Sequence, residues 1–212
     1  MNVIELTNVS KTFKNHLLFQ NVNVTFAKGK IYGITGANGS GKSVLFKMIC
    51  LFVKPDSGTV HIHPDYLPKG RDFPQQFGIL INSPGYIASL TGFENLERWA
   101  SIQHKITKQD IELAMEQVGL EPNSKQKLSK YSLGMKQKIG LAQAIMEQQQ
   151  VLILDEPFNA LDQDSVDRIS RLLETFRREG RTIVLTSHQQ TDIDRLCDEV
   201  YRIERQTLVH VK

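Results

Sequence analysis

The sequence predicts an α/β fold with a mainly parallel sheet, an N-terminal antiparallel β part and an inserted helical subdomain. Three observations lead there. Short, uniformly apolar runs such as Val151-Leu152-Ile153-Leu154 have the character of parallel strands covered on both faces. Such runs alternate with segments whose apolar residues recur at helical spacing, as strands joined by crossovers require. A glycine-rich turn over residues 36–43 follows an apolar strand and precedes a helix, so backbone N–H groups and a helix N-terminus converge on one point.

Residues 3–9 alternate like a strand, as do 18–26 with Val22, Val24 and Phe26 on one face. The polar stretch 10–15 between them reads as a turn carrying one aromatic, Phe13. Lys28-Gly29-Lys30 turns the chain into the strand 31–35, and after the glycine turn the run 44–51 is helical in pattern. Lys54-Pro55-Asp56-Ser57-Gly58 is a stop-and-turn signal before a strand over 59–63. His61 and His63 would share a face there, but no third ligand is near, and exposed strand histidines fit better than a metal site. Residues 77–81 form a short apolar strand ending at Asn82.

From Ser83-Pro84-Gly85 the character changes. Residues 91–103 and 108–118 are helical in pattern, the first opening on the capping-box arrangement Thr91-Gly92-Phe93-Glu94, the second closed by Gly119. A Lys-rich polar stretch, 124–130, precedes a helix expected over 132–148. Residues 83–140 thus read as a helical subdomain inserted between core halves at about 1–82 and 141–212, with no linker to mark a second domain. After the strand 151–154 comes an amphipathic helix, 162–178, with Gly180 just past its end. Residues 182–186 form another buried strand ending at Ser187-His188, and the tail offers a short helix at 192–196 and strands at 199–203 and 208–211.

Composition narrows the function classes. Twenty-six Lys and Arg against 23 Asp and Glu give a formal charge of +3 over 212 residues, too little to argue for nucleic acid. No apolar run approaches the roughly 18–20 residues that span a bilayer, and the N-terminus lacks a signal-peptide pattern. Cys50 and Cys197 are isolated, as buried thiols of a reducing cytosol would be. These features suggest a cytosolic chain.

The chemistry centres on Gly36-Ala37-Asn38-Gly39-Ser40-Gly41-Lys42-Ser43, which fits the phosphate-cradling pattern G-x-x-x-x-G-K-[ST]. With Gly near 7% of residues, a chain of this length matches by chance on the order of 1% of the time. Glycine is needed where the backbone turns sharply against phosphate oxygens. Lys42 can neutralise the β- and γ-phosphates and the Ser43 hydroxyl can ligate Mg²⁺. Asp155 follows an apolar strand, as a Mg²⁺-organising acid does, and adjacent Glu156 stands where a base could orient and deprotonate water. His188, at another strand end, could hydrogen-bond the γ-phosphate. Taken alone, a lone Asp or a turn histidine would be bland. All of them fall at the carboxyl ends of strands, where a parallel sheet holds its ligand.

Tyr131-Ser132-Leu133-Gly134-Met135-Lys136-Gln137-Lys138, opening a helix shortly before the Asp155 strand, resembles the Leu-Ser-Gly-Gly-Gln signature of ABC-family ATPases. The motif order along essentially the whole chain is similar to that family. Phe13 is where an aromatic stacks on adenine, then come the phosphate loop, Asn82 at the Gln-loop position, the signature, Asp155-Glu156, Asn159-Ala160-Leu161-Asp162 as the D-loop and His188 as the switch histidine. The resemblance implies a P-loop (RecA-like) core, ATP and Mg²⁺ as cofactors, and ATP hydrolysis. Mg²⁺ would be held by Ser43, Asp155 and Asn82, and ATP by Phe13, residues 36–44, Ser132 and Gly134. It implies a head-to-tail pair in which Ser132 and its helix N-terminus meet the γ-phosphate on the other copy, and a separate transmembrane permease at the cytoplasmic face. Tyr86, Phe93 and Trp99 are candidates for the permease groove, with core packing equally open for them.

Departures from the family pattern accompany it. Leu133 replaces the first signature glycine and Met135 the glutamine, a form similar to a bacterial subgroup linked to export of, or immunity to, peptide antibiotics and bacteriocins. Asn82, one methylene shorter than glutamine, implies contact with Mg²⁺ or water through a further water. Val44 lacks the second hydroxyl after Lys42, and Lys138 replaces an arginine and loses its fork. A soluble ABC-type ATPase acting on nucleic acid or ribosomes is the alternative, but the chain has no tandem nucleotide domain, long coiled-coil insert or strong basic patch. A P-loop kinase or GTPase would leave residues 131–135 and His188 unexplained.

Overall fold

The computed structural model describes residues 1–82 and 85–212, so Ser83 and Pro84, where the sequence changes character, lie outside the described residues. Alternating apolar residues fold the N-terminus into a hairpin of β1 (Asn2–Phe13) and β2 (His16–Ala27). It turns on Lys14 and Asn15, at φ 48° and 63°, a two-residue turn whose twist matches that of the strands. The polar turn expected over 10–15 is corrected by this. Residues 11–13 stay in the ladder, Lys11 opposite Phe19 and Phe13 opposite His16, because two positive-φ residues suffice to reverse the chain. The expected face holds: Val22, Val24 and Phe26 are all buried.

The chain then enters β3 (Ile31–Thr35), α1 (Lys42–Ile49), β4 (Ser57–Ile62) and β5 (Phe77–Leu80). His63 lies just past β4 and approaches Asp65, while His61 is exposed. Three helices follow: α2 (Gly92–Gln103), α3 (Lys108–Gln117) and α4 (Leu133–Ile145). The Thr91 capping box forms as its spacing predicts, the Glu94 carboxylate accepting the Thr91 N–H at 2.7 Å. Thr107 and Asp110 make a second box that starts α3. Ser132 caps α4, which stops at Ile145 rather than near 148, because Gln148 turns at φ 57° to bring Val151 alongside β5. The remainder is β6 (Val151–Leu154), α5 (Gln163–Arg178), β7 (Thr182–Thr186), α6 (Gln190–Leu196), β8 (Glu199–Glu204) and β9 (Thr207–His210).

The strands form two sheets. One is antiparallel, in the order β2-β1-β4. The other has the order β5-β6-β7-β3-β8-β9 and is parallel throughout except for β9. Successive residues of the central strands face opposite ways. Leu152, Leu154, Ile183 and Leu185 pack toward the helices α2–α5, whereas Val151, Ile153, Val184 and Ile34 pack toward α1 and the antiparallel sheet. This two-sided burial is why these strands read as unbroken apolar runs. α4 crosses residue 140 without interruption and lies directly on β5. A Cβ on Gly78 would stand 1.9 Å from the Ala144 carbonyl oxygen, so only glycine permits the contact. Among the described residues no helix is long and apolar enough to cross a membrane.

In this order β7 separates β3 from β6. The carboxyl ends of these three neighbours carry the glycine turn, Ser187-His188 and Asp155-Glu156.

Candidate nucleotide site

Three glycines give the loop its shape. Gly36, Gly39 and Gly41 have φ of 149°, 80° and 102°. A Cβ on Gly36 would meet Ser40 Oγ at 2.8 Å, and one on Gly41 would meet the Phe19 ring at 2.9 Å. Gly41 also stands at the start of α1, which has no side-chain cap, leaving its N-terminal N–H groups for another partner. Lys42 Nζ donates to the carbonyls of Gly36 and Ala37 at 2.9 and 3.2 Å, so its ammonium lies over the loop. Ser40 Oγ is buried without a hydrogen-bond partner. A cation over the loop, an unpaired buried hydroxyl and an uncapped helix start together suit a phosphate.

Asp155 has both carboxylate oxygens occupied. Ser43 Oγ donates to Oδ2 at 2.5 Å and Thr186 Oγ1 to Oδ1 at 2.9 Å. Mg²⁺ takes hard oxygen donors and needs only one or two from protein, the rest coming from phosphates and water. The Ser43 and Asp155 pair fits that demand, and among the described residues no group of three or more His, Cys, Asp or Glu side chains forms a protein-only cage.

Glu156 adopts the left-handed region at φ 53°, a conformation that costs a residue other than glycine about 1–3 kcal/mol. Its N–H donates to Thr186 Oγ1 at 2.8 Å, and its carbonyl accepts from Gln137 Nε2 at 2.8 Å. Oε2 accepts the His188 N–H at 3.1 Å. Oε1 lies 3.3 Å from His188 Nε2 but is buried without an aligned hydrogen bond. Burial pushes the Glu156 pKa above the ordinary carboxylate range; the charge and N–H of His188 oppose the rise and Asp155 adds to it.

These groups face one open cavity of about 750 Å³. Its lining includes Phe13, Asn38, Gly39, Gly41, Lys42, Ser43, Val44, Asn82, Asp155, Glu156 and His188, which sequence reading had scattered over most of the chain. Phe13, in the cavity's lining, is 46% exposed, with Lys14 Nζ 5.9 Å from its ring centre. Gly36, Ala37 and Ser40 shape the loop behind the lining. Ser132 and Gly134 stand apart from the cavity, at the N-terminus of α4, where Ser132 Oγ accepts the Met135 N–H at 3.1 Å and Leu133 is 64% exposed. Trp99 and Phe93 are partly buried against the core, and Trp99 also lines a second cavity, of about 300 Å³, with Phe52 and Asn82. Tyr86 is exposed beside Lys136.

The sequence reading missed Thr186, Gln137, His16 and Leu18. His16 could have been found as the residue paired across the hairpin from Phe13. A hydroxyl closing the apolar run of β7 was the only local signal for Thr186.

Against known proteins, a family model described as ABC transporter matches residues 19–159. This chain belongs to the ABC transporter family. The uncharacterized ABC transporter ATP-binding protein YybJ of Bacillus subtilis (strain 168) is 38% identical over 196 residues, covering 92% of this chain and 90% of that protein. The bacitracin transport ATP-binding protein BcrA of Enterococcus faecalis is 37% identical over 200 residues, 93% of this chain but 65% of BcrA. The lantibiotic transport ATP-binding protein SrtF of Streptococcus pyogenes is 29% identical over 200 residues, with coverage of 92% and 84%. Among solved structures, an ATP-binding subunit of an ABC transporter superposes with a TM-score of 0.86 at 23% identity, covering 99% of this chain and 90% of that one. A dimeric bacterial ABC transporter cassette gives 0.85 at 24% identity, covering 99% and 98%. The fold is that of an ABC ATPase cassette, a parallel core with an antiparallel β part. BcrA and SrtF are named as transport proteins, and the family match favours a transporter subunit over an ABC ATPase acting on nucleic acid or ribosomes.

Proposed function

We propose that this chain is the ATP-binding and ATP-hydrolysing subunit of an ABC transporter. It works as a pair of copies on a separate membrane permease, at the cytoplasmic face, and powers export of a peptide antibiotic or a similar amphiphile. The observation that carries the proposal is the meeting of the glycine loop, the Asp155-Glu156 pair and His188 at one cavity. The bacitracin and lantibiotic transport relatives support the export role.

Each residue then has a task. Phe13 stacks on the adenine. The loop N–H groups and Lys42 hold the phosphates, Lys42 exchanging the Gly36 and Ala37 carbonyls for phosphate oxygens. Ser43 and Asp155 would hold Mg²⁺, with Asn82 as a further polar group toward the metal or the water. Bound there, Mg²⁺ would neutralise charge on the β- and γ-phosphates. Glu156 orients water and takes its proton, a role suited to a carboxylate whose burial raises its basicity. His188 hydrogen-bonds the γ-phosphate. Ser132 and Gly134 serve the nucleotide of the other copy, in keeping with their separation from the chain's own cavity.

Glu156→Gln tests the core of this assignment. It keeps size and hydrogen bonding but removes the base, so hydrolysis should fall by about 10²–10⁴-fold while ATP still binds. Steady-state phosphate release and a nucleotide titration check it; normal turnover in the variant would remove Glu156 from the role.

A further inference from the structure

Glu156 does not hold its left-handed backbone by itself. Its peptide is gripped at both ends by side chains distant in sequence. Thr186, wholly buried at the end of β7, accepts the Glu156 N–H at 2.8 Å. Gln137, on the second turn of α4, donates Nε2 to the Glu156 carbonyl at 2.8 Å and reaches the Pro157 carbonyl at 3.3 Å. The Thr186 hydroxyl has a single proton, and that proton goes to Asp155 Oδ1 at 2.9 Å. One buried hydroxyl therefore fixes the Glu156 peptide and also sets the rotation of Asp155, whose other oxygen meets Ser43. A residue in this backbone region persists only while its surroundings over-determine it. On that principle, releasing either end would let the peptide relax toward negative φ and turn the Glu156 carboxylate away from its present place.

We propose that Thr186 and Gln137 are positioning residues for ATP hydrolysis, a clamp that aims Glu156 into the site. Because Gln137 belongs to α4, the aim of the base depends on where that helix lies. α4 begins at Ser132, so the surface offered to a second copy and the chain's own base share one rigid element. The inference rests on the reading of Glu156 as general base and adds two residues, Thr186 behind the cavity wall and Gln137 in its lining, whose bonds act on the chemistry through Glu156.

Full-length Thr186→Val, Thr186→Ser and Gln137→Met test it. Valine keeps the β-branched shape and strand preference without the hydroxyl, and serine keeps the hydroxyl. Thr186→Val and Gln137→Met should each lower kcat by about 10–100-fold, the usual cost of losing an outer partner of a ligand or base. ATP affinity measured with a Mg²⁺ chelator should stay within about twofold, since the lost bonds act on the chemical step. Thr186→Ser should restore most of the rate lost in Thr186→Val. Hydrogen exchange at the Glu156 amide gives a readout independent of turnover: faster in Thr186→Val, slow again in Thr186→Ser.

Wild-type rates in Thr186→Val and Gln137→Met would overturn the clamp, as would equal impairment in the valine and serine variants with unchanged amide exchange. If Thr186→Val does not fold, Gln137→Met decides by its rate and chelator-measured affinity. Glu156→Gln, run alongside, separates the two failures. Normal hydrolysis there defeats the base reading, whereas an inactive Glu156→Gln beside fully active clamp variants defeats the clamp alone.

Discussion

Two helix N-termini in this chain have a serine and a glycine within their first residues or just before them, and they are finished in opposite ways. α1 starts behind three left-handed glycines with no side-chain cap, and opens into the cavity that Asp155, Glu156 and His188 also face. α4 starts behind Ser132, whose own side chain caps the helix; its first residues stand outside that cavity's lining, which α4 reaches only at Gln137, and Leu133 is 64% exposed. The first terminus has its cation, its acids and its metal donors within one chain. The second has a helix dipole and an exposed surface. Under the proposed function, this difference teaches that one chain supplies the whole phosphate cradle, whereas the signature serves a nucleotide outside it. That is the arrangement expected when two copies pair head to tail.

Lys42→Met breaks the first terminus and should have the largest effect. It removes the cation held over the loop, a charge-assisted contact of the kind that costs about 2–5 kcal/mol when truncated. Nucleotide titration of the isolated variant should show ATP binding all but lost. Binding that persists near wild-type strength would mean the loop amides alone carry the phosphates.

Phe13→Ala, in the lining of the same cavity, should weaken ATP by roughly 1 kcal/mol or somewhat more, the scale of one stacking contact. Phe13→Tyr should keep the affinity because the ring stacks alike. Equal affinity for alanine would assign the aromatic to the fold.

The smallest effect is a displacement of the pH profile. Burial favours the neutral form of Glu156 and raises its pKa, so the ionised base is populated only as pH rises through that raised value. The acid limb of kcat should therefore lie above the range of an exposed glutamate, and Glu156→Gln should lack it. The linkage to stability has the matching sign. This group's contribution is fully present below its unfolded pKa and is lost as pH rises through the folded one. An acid limb in the ordinary glutamate range would show that burial does not act on the base in solution.

Local rules made much of this legible. The glycine loop was readable because its left-handed angles admit few other residues, and the central strands because burial on both faces leaves no alternation to confuse with a helix. β1 was cut short for the opposite reason. Its register slips between Val9 and Lys11 and again at Thr12, so the polar residues there stay paired while the period-two pattern is lost. The early end of α4 is set by where β6 must start, a tertiary demand. Thr186 and Gln137 escaped notice because their bonds to Glu156 span 30 and 19 residues, and no spacing rule reaches that far.

The pairing of the two termini across copies is tested most directly by size-exclusion chromatography with Mg-ATP. Glu156→Gln, binding ATP without consuming it, should accumulate as a closed dimer. Glu156→Gln combined with Ser132→Arg should elute as a monomer, because the arginine's bulk keeps α4 from the other copy's γ-phosphate. A Glu156→Gln protein that has lost hydrolysis yet stays monomeric, or a double variant that still pairs, would contradict the composite site.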